Sequence, residues 1–157
     1  MNNQSTTEYL STHVFFSELK TEFVELLGEY VKTLEIKQGD VLFDLGERAD
    51  KFYIIRQGCI SVQVPALMGP TLEIQSLCTD QVLGWSWLIP PYQWHFQAKA
   101  EEDSVLLEFD GASILAICEK DPEFGYQLLK RFASLMSERL DISRQKMMDE
   151  WNPSGFA

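Results

Sequence analysis

Residues 39–62 read GDVLFDLGERADKFYIIRQGCISV, and this stretch decides the fold class. Apolar and polar residues alternate on both sides of two turns, one at Gly46-Glu47 and the other at Gly58. Alternation with a period of two is typical of β-strands that bury one face, and glycine supplies the positive φ that tight turns need. The stretch therefore predicts two strand-turn-strand units.

The same alternation continues on both sides of this stretch. It is found at Leu34/Ile36, Val41/Phe43, Phe52/Ile54, Ile60/Val62/Val64, Leu72/Ile74, Phe96/Ala98/Ala100 and Val105/Leu107/Phe109. Many short strands separated by turn signals favour a sandwich or a barrel over a parallel sheet. The central part of the chain is therefore predicted to be an all-β roll.

Helical patterns flank the strands. Apolar residues at i, i+3, i+4 and i+7 behind Thr21, a candidate N-cap, predict a short amphipathic helix. Two more helices are expected after Phe109, one over residues 111–119 and a longer one from Asp121-Pro122-Glu123, a well-formed helix start. The fold class is mainly β with flanking α-helices, one N-terminal and two C-terminal.

Size and charge limit what the chain can do. Its 157 residues, with 13 basic against 24 acidic side chains and a net charge of −11, suit one domain that does not bind nucleic acid. We expect a roll domain at residues 15–147, between a flexible segment at residues 1–14 and a flexible tail at residues 148–157. No apolar run approaches the ~20 residues that cross a bilayer. Because the start also lacks a signal-peptide pattern, we expect a cytoplasmic protein that does not contact membranes.

The residues of reactive chemistry are few. Cys59, Cys78 and Cys118 are odd in number and widely spaced, which favours buried free thiols over a disulfide. With His13 and His95 as the only histidines, a metal site is not expected. The chain contains no GxSxG, HExxH or P-loop motif, so we do not expect an enzyme.

Residues 39–62 closely resemble the cyclic nucleotide-binding domain of the catabolite activator and protein kinase A regulatory families. The likeness covers about residues 15–145, and Asp121-Pro122, Leu128-Leu129 and Arg139-Leu140 resemble the family's closing helix. The resemblance implies a double-stranded β-helix jelly roll and a homodimer that pairs through this helix. It also implies a cyclic nucleotide as the ligand.

The segment that binds the nucleotide in that family departs from its pattern here. In the family, a Gly-Glu-x-Ala-Leu stretch begins a short helix whose backbone N–H groups hold the cyclic phosphate. An Arg a few residues on neutralises the phosphate, and the Glu accepts a hydrogen bond from the ribose. Here Gly84 and Leu88 keep their places, Trp85 stands where the Glu belongs, and Trp87 replaces the small residue. Between residues 57 and 119 the only Lys or Arg is Lys99, so no Arg of this segment can neutralise a phosphate. Cyclic AMP or cyclic GMP would then bind only weakly, through Arg48 or Arg56.

The segment is instead rich in aromatic residues, which leaves two interpretations. These side chains either line a pocket for an apolar or aromatic small molecule or fill the pocket themselves. His95 is an orienting donor, a titrating switch or an ordinary strand residue. The candidate ligand-binding residues are Gly84, Trp85, Ser86, Trp87, Leu88, Tyr92, Gln93, Trp94 and His95.

The last helix carries an apolar stripe that predicts packing on the roll, a dimer interface, or both. Its members are Leu128, Leu129, Phe132, Leu135, Met136 and Leu140. The function expected first is a stand-alone sensor that binds an unknown small molecule and signals to a separate output protein through its C-terminal helices. The alternatives are a degenerate roll that binds other proteins without a ligand, and a weak cyclic nucleotide binder.

Overall fold

The computed structural model describes the backbone of residues 3–151 and the side chains of residues 6–151. Two helices come first, α1 (Asn3–Thr12) and α2 (Thr21–Gly28), with a 3-10 turn at Val14–Phe16 between them. Eight strands follow: β1 (Val31–Ile36), β2 (Val41–Phe43), β3 (Lys51–Gln57), β4 (Ile60–Val64), β5 (Leu72–Leu77), β6 (Val82–Leu83), β7 (Gln97–Ala100) and β8 (Ser104–Asp110). Helices α3 (Gly111–Lys120) and α4 (Pro122–Trp151) end the described chain.

The strands form two four-stranded antiparallel sheets, in the orders β1-β8-β3-β6 and β2-β7-β4-β5. Strand β3 is buried on both faces: Phe52 and Ile54 face the core under the helices, and Tyr53 and Ile55 face the core between the sheets. The predicted β-roll with flanking helices is therefore confirmed. Among the strands, the sequence pattern missed the two-residue β6 and placed Phe96 one residue before β7.

The helix starts follow the predicted chemistry in part. Asp121 accepts a hydrogen bond from Phe124 N at 3.2 Å, as an N-cap should. Asp110 caps α3 in the same way through Ser113 N at 3.1 Å. Thr21 as an N-cap was wrong, because it is the first helical residue and Lys20 occupies the cap position without a side-chain bond.

The N-terminal segment differs from the flexible stretch that we expected. Residues 3–12 are helical, and Leu10 is completely buried in the core under the helices. Tyr9 donates a hydrogen bond to Asp80 Oδ1 at 2.5 Å, and His13 Nε2 lies 2.7 Å from Asp80 O. These contacts hold the segment against the roll. At the other end residues 148–151 continue α4, and the rest of the expected tail lies outside the described residues.

The prediction of free cysteines was wrong for two of the three. Cys59 and Cys78 form a disulfide, and Cys118 is a free, half-buried thiol. The register of β4 and β5 explains the bond: Ile60 pairs with Leu77, so the residues just outside this pair face each other, with their Cα atoms 4.1 Å apart. Strand pairing thus joined residues that are 19 positions apart in the sequence.

Within the described part of the chain, no helix combines the length and the apolar character that a membrane crossing requires.

Candidate functional site

A cavity of about 330 Å³ lies between the roll and α4. Its walls come from both sheets, from the segment after β6 and from one face of α4. The lining residues are Phe43, Val62, Ile74, Gln75, Leu83, Gly84, Trp85, Ser86, Trp94, Phe96, Met136, Arg139, Leu140 and Ser143.

The segment at residues 84–96 forms turns where the family resemblance implies a short helix. Leu88 N donates to Trp85 O at 3.1 Å, and Tyr92 N donates to Ile89 O at 3.0 Å, but no helix forms between β6 and β7. Gly84 has a φ of +98°, and a Cβ atom there would lie 2.7 Å from Trp94 Cη2. The ring of Trp94 therefore lies against the backbone at the point where the family's phosphate-binding segment begins.

The three tryptophans of this segment have different environments. Trp87 is 1% exposed and packs against Phe52 and Phe132, with ring centroids 5.0 and 5.2 Å apart. Trp94 is 5% exposed and stacks on Phe43 at 3.7 Å, with one side on the cavity. Trp85 is half-buried and lines the cavity. Trp87 therefore fills the interior, whereas Trp85 and Trp94 form part of the cavity wall.

The structure brings together four of the predicted ligand-binding residues, Gly84, Trp85, Ser86 and Trp94. The other five are placed elsewhere. Trp87 and Leu88 pack in the core under the helices. Tyr92, Gln93 and His95 do not line the cavity: Tyr92 is half-buried, Gln93 pairs with Arg48 in an isolated bridge, and His95 is exposed.

Arg48 and Arg56 were the candidate replacements for the family's arginine, and neither lines the cavity. Arg48 is exposed. Arg56 stacks on the ring of Tyr9 in α1, with Cζ 3.9 Å from the ring centroid. Their positions give no support to a phosphate contact in this cavity.

Arg139 in α4 is a cavity residue that the sequence analysis missed. Its Nη2 atom donates a hydrogen bond to Val82 O at 2.5 Å, and its Cζ atom lies 6.0 Å from the ring centroid of Trp85. Burial lowers the pKa of this guanidinium to about 10, because removal from water disfavours the charged form. The sequence did contain a signal for this cavity residue, because the helical spacing puts four side chains on one face of α4. They are Met136, Arg139, Leu140 and Ser143.

The apolar stripe of α4 has buried, half-buried and exposed members. Leu128, Phe132 and Leu135 are buried against the roll and the N-terminal helices, as packing on the roll requires. Met136 is half-buried at the cavity. Leu129 and Leu140 are 47% and 52% exposed and remain available to a partner.

The comparisons with known proteins agree with this architecture. The family model described as the cyclic nucleotide-binding domain matches residues 33–121. A comparison with curated proteins found no match.

Solved structures with the same fold come from distant proteins. A cyclic nucleotide-binding domain from Methylobacillus flagellatus is 15% identical, with a TM-score of 0.78, covering 99% of this chain and 86% of that one. The catabolite activator protein of Thermus thermophilus is 22% identical, with a TM-score of 0.68, covering 85% and 61%. The regulatory subunit of a cAMP-independent protein kinase A from Trypanosoma brucei is 17% identical, with a TM-score of 0.63, covering 82% and 51%. At these identities the likeness shows the fold alone.

The family model matches more than half of the chain, and it therefore identifies the family as well as the fold. It covers every strand from β2 to β8 and the whole of α3. The chain belongs to the cyclic nucleotide-binding domain family.

Proposed function

We propose that this domain is a regulatory sensor that binds a small, largely apolar molecule in the cavity and signals its binding to a separate protein through α4. The observation that carries the proposal is the composition of the cavity wall, which includes Met136, Arg139, Leu140 and Ser143 of α4 as well as roll residues. A ligand in this cavity contacts the roll and the helix together. It therefore favours the state in which α4 is docked, because it has fewer contacts in any other state.

The lining suits a small apolar ligand. Aromatic and aliphatic side chains form most of the wall, and Gln75, Ser86, Arg139 and Ser143 supply a few polar groups. Ligand sites in proteins share this composition, and the cavity volume of about 330 Å³ is at the small end of their range. The ligand is accordingly a compact molecule with one or two polar groups.

A cyclic nucleotide in the family's usual mode fits this cavity poorly. Trp85 takes the place of the carboxylate that would accept the ribose hydroxyl, and Trp94 covers the backbone at Gly84. Turns replace the helix start that would hold the phosphate. The Trypanosoma brucei structure is the regulatory subunit of a protein kinase A described as cAMP-independent, and we propose that this chain is likewise independent of cyclic AMP.

The test is a thermal-shift screen of the purified protein with a library of apolar and aromatic metabolites, together with cyclic AMP and cyclic GMP. A ligand that binds the folded state raises the free energy of unfolding by RT ln(1 + [L]/Kd), or about 2.7 kcal/mol at a hundredfold excess over Kd. We expect stabilisation by an apolar compound and none by either nucleotide below about millimolar concentration, since Trp85 replaces the carboxylate that would hold the ribose and Trp94 covers the backbone at Gly84 that would hold the phosphate.

Two matched variants locate the binding. Ser143→Phe places a ring in the cavity wall and should abolish the stabilisation. Ser137→Phe adds the same ring at an exposed position of α4 outside the wall and should preserve it. Stabilisation that survives Ser143→Phe, or a library without a single hit, would refute the sensor proposal.

A second candidate function is a protein-interaction module, and the end of α4 favours it. Ile142, Met147, Met148 and Trp151 are 51%, 68%, 64% and 85% exposed. Exposed apolar side chains clustered on one segment are typical of contact surfaces. The two functions are compatible, since a sensor also needs a surface that meets its output protein.

A further inference from the structure

Among the described residues that line the cavity, Arg139 is the only one with a positively charged side chain. Two opposite elements hold it in place. Its backbone belongs to α4, and Val82 O in β6 accepts one of its hydrogen bonds at 2.5 Å. The side chain thereby crosses the gap between α4 and β6, beside Trp85.

This guanidinium has no carboxylate partner among residues 6–151. The lining contains no Asp or Glu, and no ion pair of Arg139 is found. Other arginines of the same helix are paired: Arg131 lies 3.5 Å from Glu18, and Arg144 lies 3.6 Å from Asp141. A guanidinium has five N–H donors, and the carbonyl of Val82 accounts for one of them here.

Arg139 is half-buried, and a cation that is partly removed from water is unfavourable in a folded protein without an anion. The chain has 24 acidic residues, and none of those described is placed beside Arg139 as an ion-pair partner. The unused donors therefore indicate an anion that comes from outside the chain. A single cation balances a single negative charge, and the flat fork of a guanidinium matches the two oxygens of a carboxylate.

We propose that the ligand of this cavity is a monocarboxylic acid with an apolar, preferably aromatic, body, and that Arg139 binds its carboxylate. The inference rests on the sensor function proposed above and specifies the class of its ligand. The carboxylate lies against the free edge of the guanidinium, and the apolar body lies along Trp85, Trp94, Phe43 and Phe96. Since Arg139 belongs to α4, the carboxylate of the ligand interacts directly with the helix that we propose transmits the signal.

The experiment compares acids with their amides. Calorimetry measures the binding of 3-phenylpropanoate and a set of other aryl and alkyl monocarboxylates, each beside its uncharged amide of nearly the same shape. In the unmodified protein, at least one acid should bind at least tenfold more tightly than its amide. Arg139→Gln should remove this preference, so that each acid and its amide bind equally well.

Two further variants separate a charge effect from a folding defect. Arg139→Lys keeps the charge but loses the fork, so it should keep part of the preference for the acid. Arg144→Gln changes an exposed arginine of α4 outside the cavity wall and should keep all of it. A preference that persists in Arg139→Gln would overturn the inference.

The remaining outcomes distinguish this inference from the sensor proposal. Acids and amides that bind equally well, and that both lose binding in Ser143→Phe, would leave a cavity ligand but refute the carboxylate. Library compounds that bind while every acid fails would refute the carboxylate in the same way. If neither the acids nor the library bind, both proposals are wrong.

Discussion

Gly84 shows how one residue shapes the candidate site. Its φ of +98° is strained for any L side chain, and a Cβ atom would lie 2.7 Å from Trp94 Cη2. Gly46 has a similar φ of +85° with nothing within 4 Å of its Cβ position. A side chain at either glycine would strain the backbone, but only one at Gly84 would also collide with the Trp94 ring. Gly46 is therefore the matched control for a substitution at Gly84.

We expect Gly84→Ala to lower the free energy of unfolding by more than Gly46→Ala does. Backbone strain should reduce it by about 1–2 kcal/mol in both variants, and displacement of the Trp94 ring should remove about 1–3 kcal/mol more in Gly84→Ala. Urea denaturation followed by circular dichroism measures the difference. Equal losses in the two variants would show that the ring moves aside without a penalty.

At the scale of the element, the disulfide joins the start of β4 to the end of β5. Its loop holds 19 positions, for which the loss of chain entropy in the unfolded state corresponds to about 3 kcal/mol of stabilisation. The same pair of strands supplies Val62, Ile74 and Gln75 to the cavity wall. The bond therefore secures one side of the candidate site.

We expect reduction by dithiothreitol to lower the unfolding temperature of the unmodified protein. A Cys59→Ala, Cys78→Ala double variant should start at the lower temperature and show no response to the reductant. Cys118→Ala removes the free thiol and should respond like the unmodified protein. A double variant as stable as the oxidised protein would show that β4 and β5 need no crosslink.

At the scale of the whole molecule, the last third of α4 is exposed. The helix runs for 30 residues, and every residue from 140 to 151 is exposed. Leu140, Met147 and Trp151 follow one another at intervals of seven and four positions in this exposed part, which is the spacing of residues that share a helix face. We infer that a second copy covers this face in a homodimer.

Light scattering at tens of micromolar should give the mass of a dimer. Met147→Gln combined with Trp151→Gln should give a monomer, because it removes apolar contacts between the two copies. Both residues are exposed in the single chain, so the variant should remain folded. Tyr126→Gln replaces an aromatic residue that is 65% exposed near the start of α4 and should remain a dimer. A monomeric unmodified protein would rule out this assembly.

The sequence by itself determined the class of the fold. Alternation in residues such as Ile60, Val62 and Val64, glycine turns at Gly46 and Gly58, and the Asp121 cap are local features whose effects act over a few residues. Family resemblance then identified the jelly roll, and the replaced residues Trp85 and Trp87 marked the altered segment. These features could be predicted because each follows from its immediate neighbours in the chain.

Tertiary structure alone decided what the altered segment became. Local patterns did not distinguish Trp87 in the core from Trp85 on the cavity, and they did not pair Cys59 with Cys78 or bring Arg139 to Val82, 57 positions away. They also left Leu10 in a segment that we expected to be flexible. Burial, crosslinking and charge pairing depend on which distant elements meet, and that is determined only when the sheets and helices pack against one another.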